Sequence, residues 1–132
     1  MPAYRVPYTN GDGEGYQAHD DREYRALMSL VPYVRDRVIR TMLDMTGAGY
    51  DPYCYEGRRS LARQISLKRR GLSRTLRSRH LVGKAADIAH ARLGWQAPEQ
   101  FWHAVGKFAK REGLEWGGDW KTFVDKAHVQ WS

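Results

Sequence analysis

The sequence predicts a small α+β domain in which a largely antiparallel sheet is flanked by helices. Three observations lead there. The chain has 132 residues, 42% of them hydrophobic and 28% charged, with five Trp and eight Tyr, a balance that supports one modest core and argues against disorder. Stretches with three- and four-residue apolar periodicity are interspersed with short runs in which apolar and polar residues alternate. The segments between them leave few residues for the crossovers that parallel strands need, which favours antiparallel pairing over a doubly wound sheet. No internal repeat or linker divides the sequence, so 1–132 reads as one domain.

Met1 to Asp20 reads as an irregular lead-in, because Gly11, Gly13 and Gly15 are too closely spaced for a helix and no apolar rhythm pins the segment. A short helix is expected over Arg22 to Leu30. Pro32 suits the first turn of the next, whose Val34, Val38, Met42 and Met45 make one apolar stripe before Gly47 and Gly49 end it. Asp51 to Arg58, with Tyr53 and Tyr55 in alternation, reads as a strand, and Ser60 caps a helix that runs to about Arg70 and Gly71. Ala85 to Ala91 alternates again, placing Ala85, Asp87 and Ala89 on one face and Ala86, Ile88 and His90 on the other. Pro98 and Gly113 bracket a last helix that carries Phe101, Val105 and Phe108 on one side. The tail from Leu114 mixes Trp, Gly and short β-prone runs.

The net charge of +7 is local. Gly57 to Ala86 holds ten of the 22 Lys and Arg and none of the 15 Asp and Glu, a patch that favours polyanions such as nucleic acid, anionic lipid headgroups or acidic wall polymers. The single cysteine, Cys54, excludes an intrachain disulfide and a cysteine-rich metal site, and it reads as a half-buried strand residue rather than a nucleophile. No window approaches the roughly 20 apolar residues of a membrane span, and Met1 to Tyr16 lacks a signal-peptide apolar stretch. The expectation is a protein made and left in the cytoplasm until something else releases it.

Two clusters carry potential chemistry: Ser78 to Asp87, which contains His80 and Asp87, and Asp125-Lys126-Ala127-His128. A catalytic zinc takes three N or O ligands, keeps one position open, and works beside a base. Two His and two Asp match that inventory. Gly83 allows the chain to turn back between His80 and Asp87. Asp125 and His128, three apart, would lie on opposite faces of a regular strand, so the spacing predicts a turn there. His90, on the strand face opposite Asp87, reads as structural; His19 and His103 show no partner at ligand spacing, and Glu115 reads as a supporting acid.

The surroundings of these residues resemble a known family. Ser78-x-His80-x-x-Gly83-x-Ala85-x-Asp87 is similar to the S-x-H-x-x-G-x-A-x-D signature of the D-alanyl-D-alanine and L-alanyl-D-glutamate metallopeptidases (peptidase M15-like), which include VanX- and VanY-like enzymes and several phage endolysins. Glu115-Trp116-Gly117-Gly118-Asp119-Trp120, followed by Phe123, Asp125, His128 and Gln130, resembles the E-W-G-G-x-W…F-x-D-x-P-H segment of the endolysin branch. Gly57-Arg58-Arg59-Ser60 with Gln64 is similar to the upstream G-Y-R-S…Q segment. The chain departs from the pattern at Arg58, where the family has Tyr, and at Ala127, where it has Pro.

The resemblance implies the fold of the Hedgehog and D-Ala-D-Ala-peptidase group. It also implies Zn2+ held by His80, Asp87 and His128, Asp125 as the base that activates the attacking water, and Arg59 near the substrate and the developing oxyanion. Trp116, Gly117 and Gly118 would shape the cleft, with core packing an equal reading of Trp116. The implied activity is that of an endolysin cutting the L-Ala-D-Glu amide of the peptidoglycan stem peptide, as a monomer without a separate wall-binding domain. It would wait in the host cytoplasm until the membrane opens and then reach the periplasm and wall, where the basic patch could contact anionic envelope components. A D-Ala-D-Ala carboxypeptidase on the same fold is the alternative. From a different class comes a non-enzymatic nucleic-acid-binding protein using Arg58 to Lys84, disfavoured because it leaves the second His and Asp cluster without a role. An inactive relative serving as a binding module is disfavoured because all four catalytic positions keep competent residues.

Overall fold

The computed structural model describes residues 4–9, 13–73, 75 and 78–132; Gly11 of the lead-in and Arg74 and Arg77 of the basic run lie outside them. The lead-in is the first correction to the sequence reading. Arg5–Val6 (β1) and Tyr16–Gln17 (β2) pair antiparallel, and Val6, Tyr16 and Ala18 are buried in the core. Strands of two residues leave no periodicity to read.

The helices form where capping and periodicity place them. Asp20 caps α1 (Asp21–Met28) by accepting the Glu23 N–H at 3.0 Å. Pro32 opens α2 (Pro32–Gly47), whose Val34, Val38, Met42 and Met45 are fully buried. After β3 (Pro52–Glu56), the Ser60 hydroxyl accepts the Arg63 N–H at 3.1 Å and caps α3 (Leu61–Arg69). Following β4 (Ala85–His90), α4 (Glu99–Arg111) buries Phe101, Val105 and Phe108, with Pro98 as its N-cap rather than a first-turn residue.

The tail supplies β5 (Glu115–Trp116) and β6 (His128–Gln130), and the main sheet runs β3-β4-β6-β5, antiparallel throughout. Cys54, Ala86, Ile88 and Val129 join residues of α2 and α4 in the hydrophobic core. Cys54 is wholly buried rather than half-buried, and burial, followed by the Glu23 charge, pushes its thiol well above its ordinary value, so it is a packing residue. Register does the rest: Asp87 lies directly opposite His128 on β6 and opposite Glu56 on β3. Because side chains alternate along a strand, Asp87 points away from Ile88 and the core and toward its two cross-strand partners.

Candidate active site

The third member of the site arrives on a single 3-10 turn, Arg79–Val82. The Ser78 hydroxyl starts that turn by accepting the His80 N–H at 3.2 Å, and Gly83, at φ 71°, closes it in the left-handed region. The chain thereby folds back as the sequence requires. His80 Nδ1 donates to the Gly57 carbonyl at 2.7 Å, which leaves the Nε2 lone pair facing inward. His128 is oriented the other way round: Nε2 donates to Gln130 Oε1 at 2.7 Å, leaving Nδ1 toward Asp87. Gln130 is held in turn, since its Nε2 donates to Glu115 Oε2 at 3.2 Å, and Trp120 Nε1 donates to the same oxygen at 2.8 Å.

These tautomers converge on one point. His80 Nε2 and His128 Nδ1 lie 3.3 and 3.6 Å from Asp87 Oδ1, close to the roughly 3.4 Å edge of a tetrahedron of N and O ligands around zinc. Among the described residues this is the one group of three His, Cys, Asp or Glu that could hold a metal, one ligand atom from each lying within 4.8 Å of the others. His80 Nε2 and Asp87 Oδ1 are buried and have no hydrogen-bond partner. Two buried polar atoms left unpaired side by side would be costly, and a cation between them resolves both.

Electrostatics agree with the geometry. Burial pushes the Asp87 carboxyl up, but its contacts with His80 and His128 outweigh it and hold the group well below its ordinary value, ionised. Burial pulls His128 down, but Asp87 overrides it and the imidazole is raised. The pocket therefore favours positive charge.

Asp125 enters through the turn that its spacing from His128 predicts: the His128 N–H donates to the Asp125 carbonyl at 3.2 Å. The E-W-G-G-x-W run explains itself here. Gly117 has no side chain because a Cβ there would lie 2.3 Å from the Asp125 carbonyl and 3.1 Å from the His128 Cβ. The Gly117 carbonyl accepts the Asp125 N–H at 3.0 Å. Gly106 and Gly118 both crowd the Trp116 ring, whose Nε1 donates to the Lys126 carbonyl at 2.8 Å. Trp116 is thus a buried core residue that holds the turn, and Trp120 faces the cleft instead. Burial, then the Asp87 charge, raises the Asp125 carboxyl above its ordinary value, which makes it a better proton acceptor than a free Asp.

Of the two consecutive arginines, Arg59 faces the site, while Arg58 is exposed with its N–H on Ser29 Oγ. Arg59 donates from Nε to Glu56 at 2.7 Å, from Nη1 to Gln64 Oε1 at 2.6 Å and from Nη2 to Asp87 Oδ2 at 3.4 Å. Its nearest contact with the centre is therefore the outer oxygen of Asp87. Gln64, fully buried, also donates to Ser73 Oγ at 2.8 Å and to the Thr75 carbonyl, which holds these two residues along one wall. The resulting cleft, about 370 Å³, is lined by Ser73, Ser78, His80, Trp120, Asp125 and His128, among others.

The structure brings His80, Asp87, His128, Asp125 and Arg59 together. It keeps His90 apart, where Nδ1 accepts the Arg92 and Leu93 N–H groups, both at 3.1 Å. His19 also lies outside the group that could hold a metal, although its ring has partners that the sequence reading did not assign: Glu23 Oε1 at 2.8 Å and Asp51 Oδ1 at 3.3 Å. The orienting role of Gln130 was missed. Its signals were its place at the end of the tail segment that carries the resemblance and an i, i+2 spacing that puts it on the strand face of His128.

Fold and donor set together define a class: small α+β proteins with a buried cation site opening on a cleft beside a carboxylate. A sequence profile of D-alanyl-D-alanine carboxypeptidases matches residues 71–131. The chain is 38% identical over 99 residues to the L-alanyl-D-glutamate peptidase of Listeria phage A118, covering 70% of this chain and 35% of that protein, so it spans about a third of that relative's length. It is 30% identical over 121 residues to the peptidoglycan L-alanyl-D-glutamate endopeptidase CwlK of Bacillus subtilis strain 168, covering 76% of this chain and 72% of that one. The crystal structure of the L-Ala D-Glu endopeptidase ChiX of Serratia marcescens matches with a TM-score of 0.71 at 29% identity, covering 85% and 87% of the two chains. The chain belongs to this family of D-alanyl-D-alanine and L-alanyl-D-glutamate metallopeptidases.

Proposed function

We propose that the protein is a zinc-dependent endopeptidase that hydrolyses the L-Ala-D-Glu amide of peptidoglycan. The observation that carries this reading is the pair of buried, unpartnered atoms His80 Nε2 and Asp87 Oδ1, set with His128 Nδ1 at ligand spacing beside Asp125. The names of the relatives point to the bond. His80, Asp87 and His128 would hold the metal, which when bound supplies Lewis-acid polarisation of water and of the substrate carbonyl.

The chain's own groups do the remaining work. Asp125 takes the proton of the attacking water and delivers it to the departing D-Glu nitrogen, a task its place on the cleft wall beside His80 and His128 suits. Arg59 holds Asp87 Oδ2 in place, and the two of its five N–H bonds not used by Glu56, Gln64 and Asp87 are free to meet negative charge developing on the carbonyl oxygen. The enzyme acts as a monomeric endolysin, retained in the host cytoplasm until the membrane opens. Among the described residues no helix is long and apolar enough to cross a membrane. The exposed basic residues of α3, Lys68 and Arg69, give it electrostatic contact with anionic envelope polymers.

The test is metal content and product analysis on purified peptidoglycan. One zinc per chain, chelator-sensitive release of peptides with N-terminal D-Glu, metal loss in His80→Ala, and retained metal with at least a ~100-fold lower rate in Asp125→Asn are expected. Release of D-Ala alone would move the activity to the carboxypeptidase alternative. No metal and no cleavage, with salt-sensitive nucleic-acid binding, would overturn it.

A further inference from the structure

Beyond the cleft, Asp125 walls two more hollows. One, of about 550 Å³, shares Asp87 and Arg59 with the centre and is bounded by Arg22, Tyr55, Arg63 and Trp95. The other, of about 420 Å³, lies between Trp95, Trp102 and Val124. Trp95 is thus a ridge between two depressions that both reach the proposed base.

That ridge is exposed and yet fixed. Trp95 is 54% exposed, while its ring packs on Tyr55 at 4.9 Å between centroids and Tyr55 packs on Tyr53 at 4.5 Å. The turn that carries it is pinned to β4: the Gly94 N–H donates to the His90 carbonyl at 2.9 Å and the His90 N–H returns to the Gly94 carbonyl at 3.2 Å. The Tyr55 hydroxyl also donates to the His90 carbonyl, at 3.3 Å. A singly exposed Trp is ordinary. A rigid one, backed by a second ring and opening onto a reaction centre, offers a large contact area at low entropic cost.

We propose that Tyr55 and Trp95 form a glycan-side subsite that receives the amino sugar to which the stem peptide is attached; this rests on the L-Ala-D-Glu reading above. A pyranose presents a face of polarised C–H bonds, which the electron-rich face of an indole attracts. Its hydroxyl and acetamido groups lie around the rim, where Arg22, Arg63 and Glu56 offer donors and acceptors. In peptidoglycan L-Ala is joined directly to the lactyl group of that sugar. The scissile amide is therefore one residue from the glycan, and at about 3.5 Å per extended residue the sugar falls within one hollow of the centre. A D-Ala-D-Ala bond, at the far end of the stem, would leave the ledge without an occupant.

The experiment compares kcat/KM of the zinc-loaded protein on a soluble disaccharide-peptide and on the same stem peptide without sugars. The wild type is expected to favour the sugar-bearing substrate by about tenfold. Trp95→Ala and Trp95→Leu should bring that ratio close to one, and Trp95→Phe should keep most of it. Leu keeps the apolar cover over Tyr55, so the loss can be read even if the alanine variant folds poorly. A wild-type ratio of one, or a ratio unchanged in Trp95→Leu, would overturn the subsite while leaving the peptidase reading intact. Failure to cleave either substrate would remove the peptidase reading itself, and the subsite with it.

Discussion

At the scale of single residues, the tautomer of each of the two candidate histidine ligands is set by a neighbour that never touches the centre. His80 is locked by a backbone carbonyl, which no substitution removes, whereas His128 depends on one side chain, Gln130. Partners of this kind contribute about 10–100-fold to metal affinity or activity when lost. Gln130→Leu is therefore expected to weaken zinc binding by about that factor, read by chelator competition, while Gln130→Glu combined with Glu115→Gln, which keeps an acceptor for Nε2–H and a donor between the two side chains, should stay within a few-fold of wild type. Equal loss in both variants would show that Gln130 packs rather than orients. The three candidate ligands could be named from the sequence because the S-x-H-x-x-G-x-A-x-D run and the D-x-x-H run resemble a family's signature; their spacing alone says little, and the structure adds that their ligand atoms meet. The role of Gln130 could not be read, because it depends on where Glu115 of β5 falls across from it on β6, and pairing between distant segments leaves no local signature.

At the scale of elements, the helices could be read because caps and apolar stripes are local: Pro32 and Ser60 mark starts that the fold uses, whereas Asp20, read as the end of the lead-in, turns out to cap α1. The two-residue strands and the 3-10 turn under His80 are shorter than any period and take their form from what they pack against. The Asp125–His128 turn is the element on which the proposed chemistry turns, and it rests on Gly117. A Cβ at 2.3 Å from the Asp125 carbonyl cannot be absorbed by a side-chain rotation, because the obstacle is backbone. Gly117→Ala should displace Asp125 and His128 together. A misplacement on the order of 1 Å at a reacting group costs about 100-fold in rate, so kcat/KM should fall by at least that much while the far-UV spectrum stays native. Activity within threefold of wild type would show that the turn is not held by this contact.

At the scale of the whole molecule, the N-terminal ribbon is joined to the site-bearing sheet by a buried carboxylate. Glu23 of α1 is fully buried and accepts from the Tyr16 hydroxyl at 3.0 and 3.1 Å and from the Cys54 N–H at 2.7 Å. His19 completes the junction, meeting Glu23 on one side and Asp51 on the other, with the Tyr53 ring tilted against it at 5.4 Å between centroids. Burial pulls the His19 imidazole down, but the hydrogen bonds and charges of Glu23 and Asp51 together outweigh it, so its pKa in the fold is raised above 6.5. A raised folded pKa means that the protonated ring stabilises the fold below the unfolded value, and that this contribution disappears as pH rises through the folded one. The melting temperature should therefore fall between pH 6 and pH 8 by more in wild type than in His19→Gln. The ring is 39% exposed and Arg92 Nε lies 3.8 Å from Asp51, so screening limits the excess to about 1–3 °C, and 0.5 M salt should shrink it further. An identical pH dependence in the two proteins would mean that His19 joins the ribbon to the sheet by packing and hydrogen bonding alone.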